Sequence, residues 1–513
     1  MEWDGSAPDM VRSHLAGFPV VCADDDVAEI VEGLLDRVAA VAGVDRSRGV
    51  RRAGPGEWVL SGGDGTVVRV SAGRPAVPRR FPAATLLLGV VIEPGPAMTA
   101  GRRERLAGAL EEVAFTRREL ARLAEELPLL SGLPEVLPEK VFEDTALMVM
   151  GHFMSDLVVQ VETALALGAR AETLTVIDKG YAYRLRHRVT AHLRRLGVTV
   201  FPAGQIVAAA ESHAHRSKAH GCGRTIAVDD GGYVLPALLD ERPDLVESYD
   251  GLVEQTMSGI YRLEKYGDRI PVPILSVAQS RLKGTIESYW IAEAAVANLL
   301  RLMPGEKWEG RPALVIGYGQ IGSEIARLLQ QRRMRVACHD RDLLRLVSAH
   351  ENGHHTGRDL SRLLGEHRPW LIIGGTGRTS MGRPEFDALR RDCVLASVTS
   401  RTIEFDVDAL AAAAIGIEDL GVRGRRFSLP RGIAVDLLAD GYPVNFHHAE
   451  SIPNRQSDLV MAGLLMGAAA LAEPRHPFRP GHNVALSDQV LESSGLLAEF
   501  YRLYGPDSDH GSP

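Results

Sequence analysis

Two hydrophobic periodicities alternate along the chain. Between 146 and 234 the short apolar runs ALMVMG, TLTVI, VTVF and TIAV are separated by amphipathic stretches such as DLVVQVETALALGA and RLRHRVTAHLRRLG. Short continuous apolar runs read as strands buried on both faces, and the stretches between them carry the spacing of helices. Alternation of this kind predicts βαβ crossovers and a parallel sheet. It returns between 312 and 410, and a helix over 288–301 joins the two series, leaving a cleft between two α/β units. Residues 1–105 differ: a helical stretch near 27–41 precedes short strands around 58–60, 67–70 and 85–92. From 103 the pattern turns helical and charged, with Leu106, Leu110, Val113, Leu120 and Leu123 at turn spacing through to 130. The expectation is an α/β protein with an extra small α+β unit at its N-terminus.

Composition narrows the class. A chain of 513 residues is too long for one core, and at roughly 150 residues per domain it should fold as about three. Its 58 basic and 66 acidic residues leave a net charge of −8, which argues against nucleic acid as a partner. Cys22, Cys222, Cys338 and Cys393 have no CxxC spacing, so no metal site is expected and a reducing cytoplasm is. No run has the length of a membrane span, and the start MEWDGSAPDM lacks a basic and an apolar leader region, so no membrane partner is expected. Only six of the basic residues are lysine: Lys140, Lys179, Lys218, Lys265, Lys283 and Lys307. A GC-rich genome accounts for the general bias, but a lysine kept in such a chain suits a task in which a proton must leave, which arginine cannot perform.

The strand PALVI runs into Gly317-Tyr-Gly319-Gln320-Ile321-Gly322 and then the helix SEIARLLQQ. In this setting Gly317 allows the turn, Gly319 admits a pyrophosphate to the backbone, Gly322 packs helix on strand, and the helix N-terminus offers N–H groups and a positive dipole. The next strand, MRVACHD, ends in Asp340, where a carboxylate can take both ribose hydroxyls of NAD. Arg341 next to it leaves NADP open. A Rossmann-type domain holding NAD is the first functional expectation.

From 106 to 471 the chain also resembles S-adenosyl-L-homocysteine hydrolase. The segments VETALALGA, VDDGG, EQTMSGIYRLEKYG, VPILSVAQSRLK, GYGQIG, GGTG, TIEFDVDAL and LLADGYPVN occur in the order of that family. The resemblance implies a substrate domain over 106–290 with a return segment near 448–485, an NAD domain over 291–447 and a tail over 486–513. It implies a homo-oligomer, dimer or tetramer, and an adenine nucleoside as small-molecule substrate. It puts Lys283 on the family's catalytic lysine, with Glu287 four residues on, where a carboxylate holds an ammonium on one helix face. A lysine desolvated beside NAD can take the 3′-hydroxyl proton. Asp230 matches the aspartate near C4′ and the leaving group, and His152 the histidine that opens the family's HMTxET segment. Ser155 and Asp156 follow on the adenine side, Glu254 and Gln255 on the ribose side. Thr256, Ser258, Ser288, Thr376, Gly377, Ser397 and Asn445 fall on cofactor-binding positions of the family. For Lys283 the ordinary alternative is a surface ion pair, and for His152 a satisfied turn residue.

Departures from the family concentrate on substrate gripping. A glutamate before its TTT becomes Gln255; NIGHFD becomes Ser397-Val398-Thr399-Ser400-Arg401-Thr402; GHPSF becomes Ser451-Ile452-Pro453-Asn454-Arg455; NPxSTQD on the homocysteine side becomes IDKGYAYRLR; the Lys- and Tyr-bearing tail has no counterpart. The redox end survives and the sulfur end does not. The implied activity is an NAD-dependent nucleoside lyase: transient sugar oxidation, loss of water to an exocyclic enol ether, and re-reduction, as in nucleoside-antibiotic biosynthesis. A divergent homocysteine-releasing hydrolase and a non-catalytic NAD-binding regulator are the alternatives.

Overall fold

The computed structural model describes residues 14–505 except 75–85, 97, 110–111, 401 and 450. Thr85, Leu110, Arg401 and the end of the tail, 506–513, therefore lie outside the described residues. Three sheets organise the rest. The first is antiparallel and made of His14–Val20, Val50–Gly54, Glu57–Ser61, Val67–Gly73 and Leu86–Glu93. Helix Val27–Ala42 lays Ile30, Val31, Leu34, Leu35 and Val38 on it at helical spacing, and Gly43 in the left-handed region closes that helix.

The second sheet is parallel and has seven strands. Counted by their own order along the chain they lie 7-6-5-4-1-2-3, from Gly481–His482 at one edge to Thr199–Pro202 at the other. The third, over 312–438, lies 3-2-1-4-5-8-7-6, parallel through its first six strands and closed by an antiparallel hairpin. Both are covered on both faces by separate apolar clusters, which is why their strands read as continuous apolar runs. Helix Asn454–Ala472, buried along almost its whole length, crosses the second sheet after the chain leaves the third.

Three sequence expectations are adjusted. The helix between the α/β units begins at Arg281 rather than 288 and runs to Leu302, because Ser280 caps it by accepting the Lys283 N–H at 3.3 Å. The helical run expected over 103–130 is broken into Ala100–Gly108, Arg117–Glu126 and Pro128–Ser131. A capping box between Thr116 and Glu119 restarts it, and Pro128 begins the last piece. Leu106, Ala109 and Val113 pack into the first core, so that core extends past 105. Arg188 fastens this region to the second sheet's helices. It makes two 2.6 Å bonds to Glu119, donates to the carbonyls of Ala114 and Val21, and lies over the Phe115 ring. Among the described residues no helix is long and apolar enough to cross a membrane.

Candidate active site

In doubly wound sheets the ligand crevice lies beyond the strand ends where the order reverses, between the first strand and the fourth. The third sheet places Gly317 after its first strand, Asp340 after its second and the segment 375–377 after its fourth. Gly317 has φ 95°, and a Cβ there would stand 2.8 Å from the Gly375 carbonyl oxygen. A Cβ on Gly322 would run into the Gly317 carbonyl oxygen, so only glycine lets helix Gln320–Gln331 start so close to the strand. Gly319 precedes that helix with open space around it: a Cβ would meet nothing nearer than Arg345 Nη1 at 3.5 Å, and no side chain caps the helix N-terminus. Asp340 accepts the N–H groups of Tyr318 at 2.7 Å and Asp342 at 2.8 Å, which points its carboxylate along the turn.

The remaining cofactor positions gather around this turn. Thr376 and Gly377 donate to buried Glu404, which also accepts the Thr399 hydroxyl at 2.8 Å. Burial pushes the Glu404 carboxyl up. Ser397 is fully buried, with its hydroxyl 3.3 Å from the Thr399 N–H. Asn445 donates to Ser451 at 2.8 Å, while its Oδ1 is buried without a partner. An uncapped helix start, glycines that a Cβ would fill and an unsatisfied buried amide oxygen fit a dinucleotide with a nicotinamide end.

Lys283 reaches this cradle from the long helix. Its Nζ donates to the Gln255 carbonyl at 2.6 Å and pairs with Glu287 at 3.1 Å, both side chains being about nine-tenths buried. A Cβ on neighbouring Gly284 would stand 2.8 Å from Gln320 Nε2, so this helix turn abuts the glycine-rich turn. Ser288 lies one turn further, its hydroxyl 3.4 Å from the Gly284 carbonyl.

The second sheet faces the cradle with charge. His152 follows its first strand, Thr145–Gly151, and Asp230 follows its fourth, Arg224–Asp229. His152 Nε2 is 3.1 Å from Asp230 Oδ2, and its Nδ1 is 2.6 Å from the Tyr183 hydroxyl. The ring stacks on Phe446 at 3.8 Å between centroids. Burial, then the Lys179 and Lys283 ammonium groups, lower the His152 pKa to about 3, so the imidazole is neutral. Asp230 is 1% exposed; burial opposes its charge, but the Lys179 and Lys283 ammonium groups outweigh that and hold it below the usual carboxylate range.

Two of these partners went unnoticed in the sequence. Lys179 follows the second strand, Thr175–Asp178, and its Nζ lies 2.8 Å from Asp230 Oδ1 and 3.2 Å from His152 Nε2. Burial works against this ammonium, and Asp230 with the nearby Tyr181 and Tyr233 raises its pKa above the ordinary lysine value. Its signal was its rarity and its place at the head of IDKGYAYRLR. Glu404, inside TIEFDVDAL, was the other.

The substrate-side positions divide. Ser155 donates to Asn454 at 3.3 Å, and Asn454 donates to Glu126 at 2.5 Å. Asp156 accepts the Leu157 N–H at 2.8 Å, and burial pushes its carboxyl up to about 6. Glu254, expected on the ribose side, is fully buried. Its Oε1 accepts the Gly231 N–H, the Thr256 N–H and the Thr256 hydroxyl, while its Oε2 is buried without a partner. Thr256 in turn caps helix Met257–Leu263 and meets Ser258 at 3.2 Å. Gln255 takes part through its carbonyl, on Lys283. Contacts also cross the cleft: Tyr233 Oη to Ser400 Oγ at 3.0 Å, and Arg378 over the Tyr261 ring.

The chain is similar to several known proteins. The NAD binding domain of S-adenosyl-L-homocysteine hydrolase matches over residues 301–451. An adenosylhomocysteinase of Saccharolobus solfataricus is 27% identical over 256 residues, 49% of this chain and 60% of that protein. Those of Gloeothece citriformis and Acinetobacter baylyi are 21% and 23% identical over 74% and 73% of this chain, and 88% and 84% of theirs. Among solved structures, the A chain of dipicolinate synthase from Bacillus subtilis covers 71% of this chain and 98% of its own at 14% identity and a TM-score of 0.36. The chain is thus similar to the adenosylhomocysteinases at low identity, and over 301–451 it matches the NAD binding domain of S-adenosyl-L-homocysteine hydrolase.

Proposed function

We propose that the protein is an NAD-dependent nucleoside dehydratase: it oxidises the sugar of an adenine nucleoside transiently, eliminates water to an exocyclic enol ether, and re-reduces the sugar. NAD, when bound, supplies the hydride acceptor and donor. Gly317, Gly319, Gly322 and Asp340 would hold its pyrophosphate and ribose, and Asn445 its nicotinamide end. Lys283, positioned by Glu287 and the Gln255 carbonyl, takes and returns the proton of the sugar hydroxyl as the neutral amine. Asp230, an ionised carboxylate beside neutral His152, receives the proton acidified at C4′. Ser155 and Asp156 lie on the base side.

One observation carries the choice of water over a thiol as leaving group. The segment that stands where the family recognises homocysteine folds Tyr181 and Tyr183 against His152, with ring centroids 5.2 and 5.5 Å away, and Phe446 and Tyr442 close around them. By the resemblance, an amino-acid thiol would extend on the side of this aromatic wall, which supports a short leaving group. Incubating the purified protein with a panel of adenine nucleosides and with adenosylhomocysteine, followed by mass spectrometry, tests the reading. An 18-dalton loss is expected. Released homocysteine would make the protein a hydrolase, and no change with any compound would make it a regulator.

A further inference from the structure

Lys179 has no task in the chemistry above, and its setting is costly. The residue is 3% exposed, yet its ammonium group contacts Asp230 at 2.8 Å and His152 at 3.2 Å, with the Tyr181 ring centroid 5.4 Å away. An apolar pair would pack there without removing two charges from water, so stability alone does not account for it. The chain has six lysines among 58 basic residues and has placed one here, where an arginine would keep its proton. The position is also the topological counterpart of Asp340: each follows the second strand of its sheet at the reversal of strand order.

Water differs from a thiol as a leaving group in one respect. A thiolate departs as it is, whereas an alcohol oxygen departs readily only with a proton. Resting on the dehydration reading, we propose that Lys179 is a positioning residue that keeps Asp230 ionised and supplies the proton carried off by the leaving hydroxyl. On the oxidised sugar the C4′–H bond breaks and its proton passes to Asp230. The electron pair forms the C4′=C5′ bond as the C5′–O bond breaks. The oxygen takes a proton that Lys179 supplies to the cluster and leaves as water, and Lys179 regains its proton from Asp230 across 2.8 Å. Two hydrogens and one oxygen leave the substrate, and the side chains end as they began.

The test compares leaving groups. Wild-type protein, K179M and K179R are given adenosine, which must lose water, and 5′-chloro-5′-deoxyadenosine, which yields the same alkene by losing chloride without a proton. Loss of the proton donor should slow water elimination by about 10² to 10⁴ in both variants, while chloride elimination stays within about tenfold of wild type in K179R, where Asp230 keeps a cation beside it. K179R retains the charge beside Asp230 and carries the comparison if K179M does not fold. Equal slowing of both eliminations in K179R, or unchanged water loss in either variant, overturns the proposal. Wild-type protein that loses chloride but never water overturns the dehydration reading, and the role of Lys179 falls with it.

Discussion

The two parallel sheets share the strand order 3-2-1-4-5, and their cleft ends are furnished in opposite ways. In the third sheet the reversal point is made of backbone. Glycines follow the first and fourth strands, a helix begins without a side-chain cap, and the acid after the second strand accepts backbone N–H groups. In the second sheet the same three strand ends carry His152, Lys179 and Asp230, within about hydrogen-bonding reach of one another. One half offers backbone dipoles; the other concentrates buried side-chain charge.

The difference teaches which half tolerates change. A dinucleotide held by backbone N–H groups needs glycine geometry more than particular side chains, and the family model matches this chain over that half, 301–451. The charged half depends on side chains from three separate strand ends, so each substitution there alters chemistry without altering the fold.

The largest effect should come from the residue that links the halves. Lys283→Ala is expected to lower turnover by about 10² to 10⁴ with NAD content and melting temperature near wild type. Lys283→Arg should fail similarly, since guanidinium holds its proton. An active arginine variant would return Lys283 to a plain ion pair with Glu287 and leave the halves unlinked by chemistry. Next comes Asp230→Asn, which strands the Lys179 ammonium in the interior. Removing one partner of a buried pair costs about 3–5 kcal/mol of stability, so denaturant midpoints should fall clearly while the folded fraction still retains NAD. A variant as stable as wild type would mean that Lys179 is reached by water.

How far these halves could be read from sequence follows the same division. The α/β class, the crossovers and the glycine-rich turn are local patterns, written in contiguous residues such as PALVI and Gly317–Gly322, and they were legible. The helix expected across 103–130 was not, because its breaks depend on the Thr116–Glu119 box and on Leu106 and Val113 turning into the first core. Lys179 was legible only as one of six rare lysines: it becomes chemical when strands distant in sequence place Asp230 and His152 beside it. The loop contacts of Glu254 were hidden in the same way: its Oε1 accepts the N–H groups of Gly231 and Thr256, partners that no contiguous pattern shows.

A smaller effect separates the halves at the cofactor. Asp340→Asn removes a charge-assisted acceptor from the backbone half, worth on the order of 1.5–3 kcal/mol to a ribose diol. Protein purified from this variant should release less NAD on denaturation than wild type, with chloride and water elimination restored by added NAD. Unchanged cofactor content would mean that the glycine turn alone retains the dinucleotide.

The smallest effect concerns pH and belongs to the charged half alone. Burial raises the Asp156 carboxyl to about 6 in the folded protein, against about 3.9 in an unfolded chain. The folded state therefore binds the Asp156 proton more tightly, and this group's contribution to stability grows as pH falls from above 6 toward 4 and is lost as pH rises through the folded value. Asp156→Asn removes that dependence while its amide oxygen can still accept the Leu157 N–H. The melting temperature of the variant should exceed wild type most at pH 7.5, and the gap should shrink at pH 5 by about 1.4 kcal/mol, the value of one pKa unit, or a few degrees. A gap that stays constant with pH would show that Asp156 is ionised at no cost, which requires a cation or water beside it and would move the base-binding side of the cleft away from this residue.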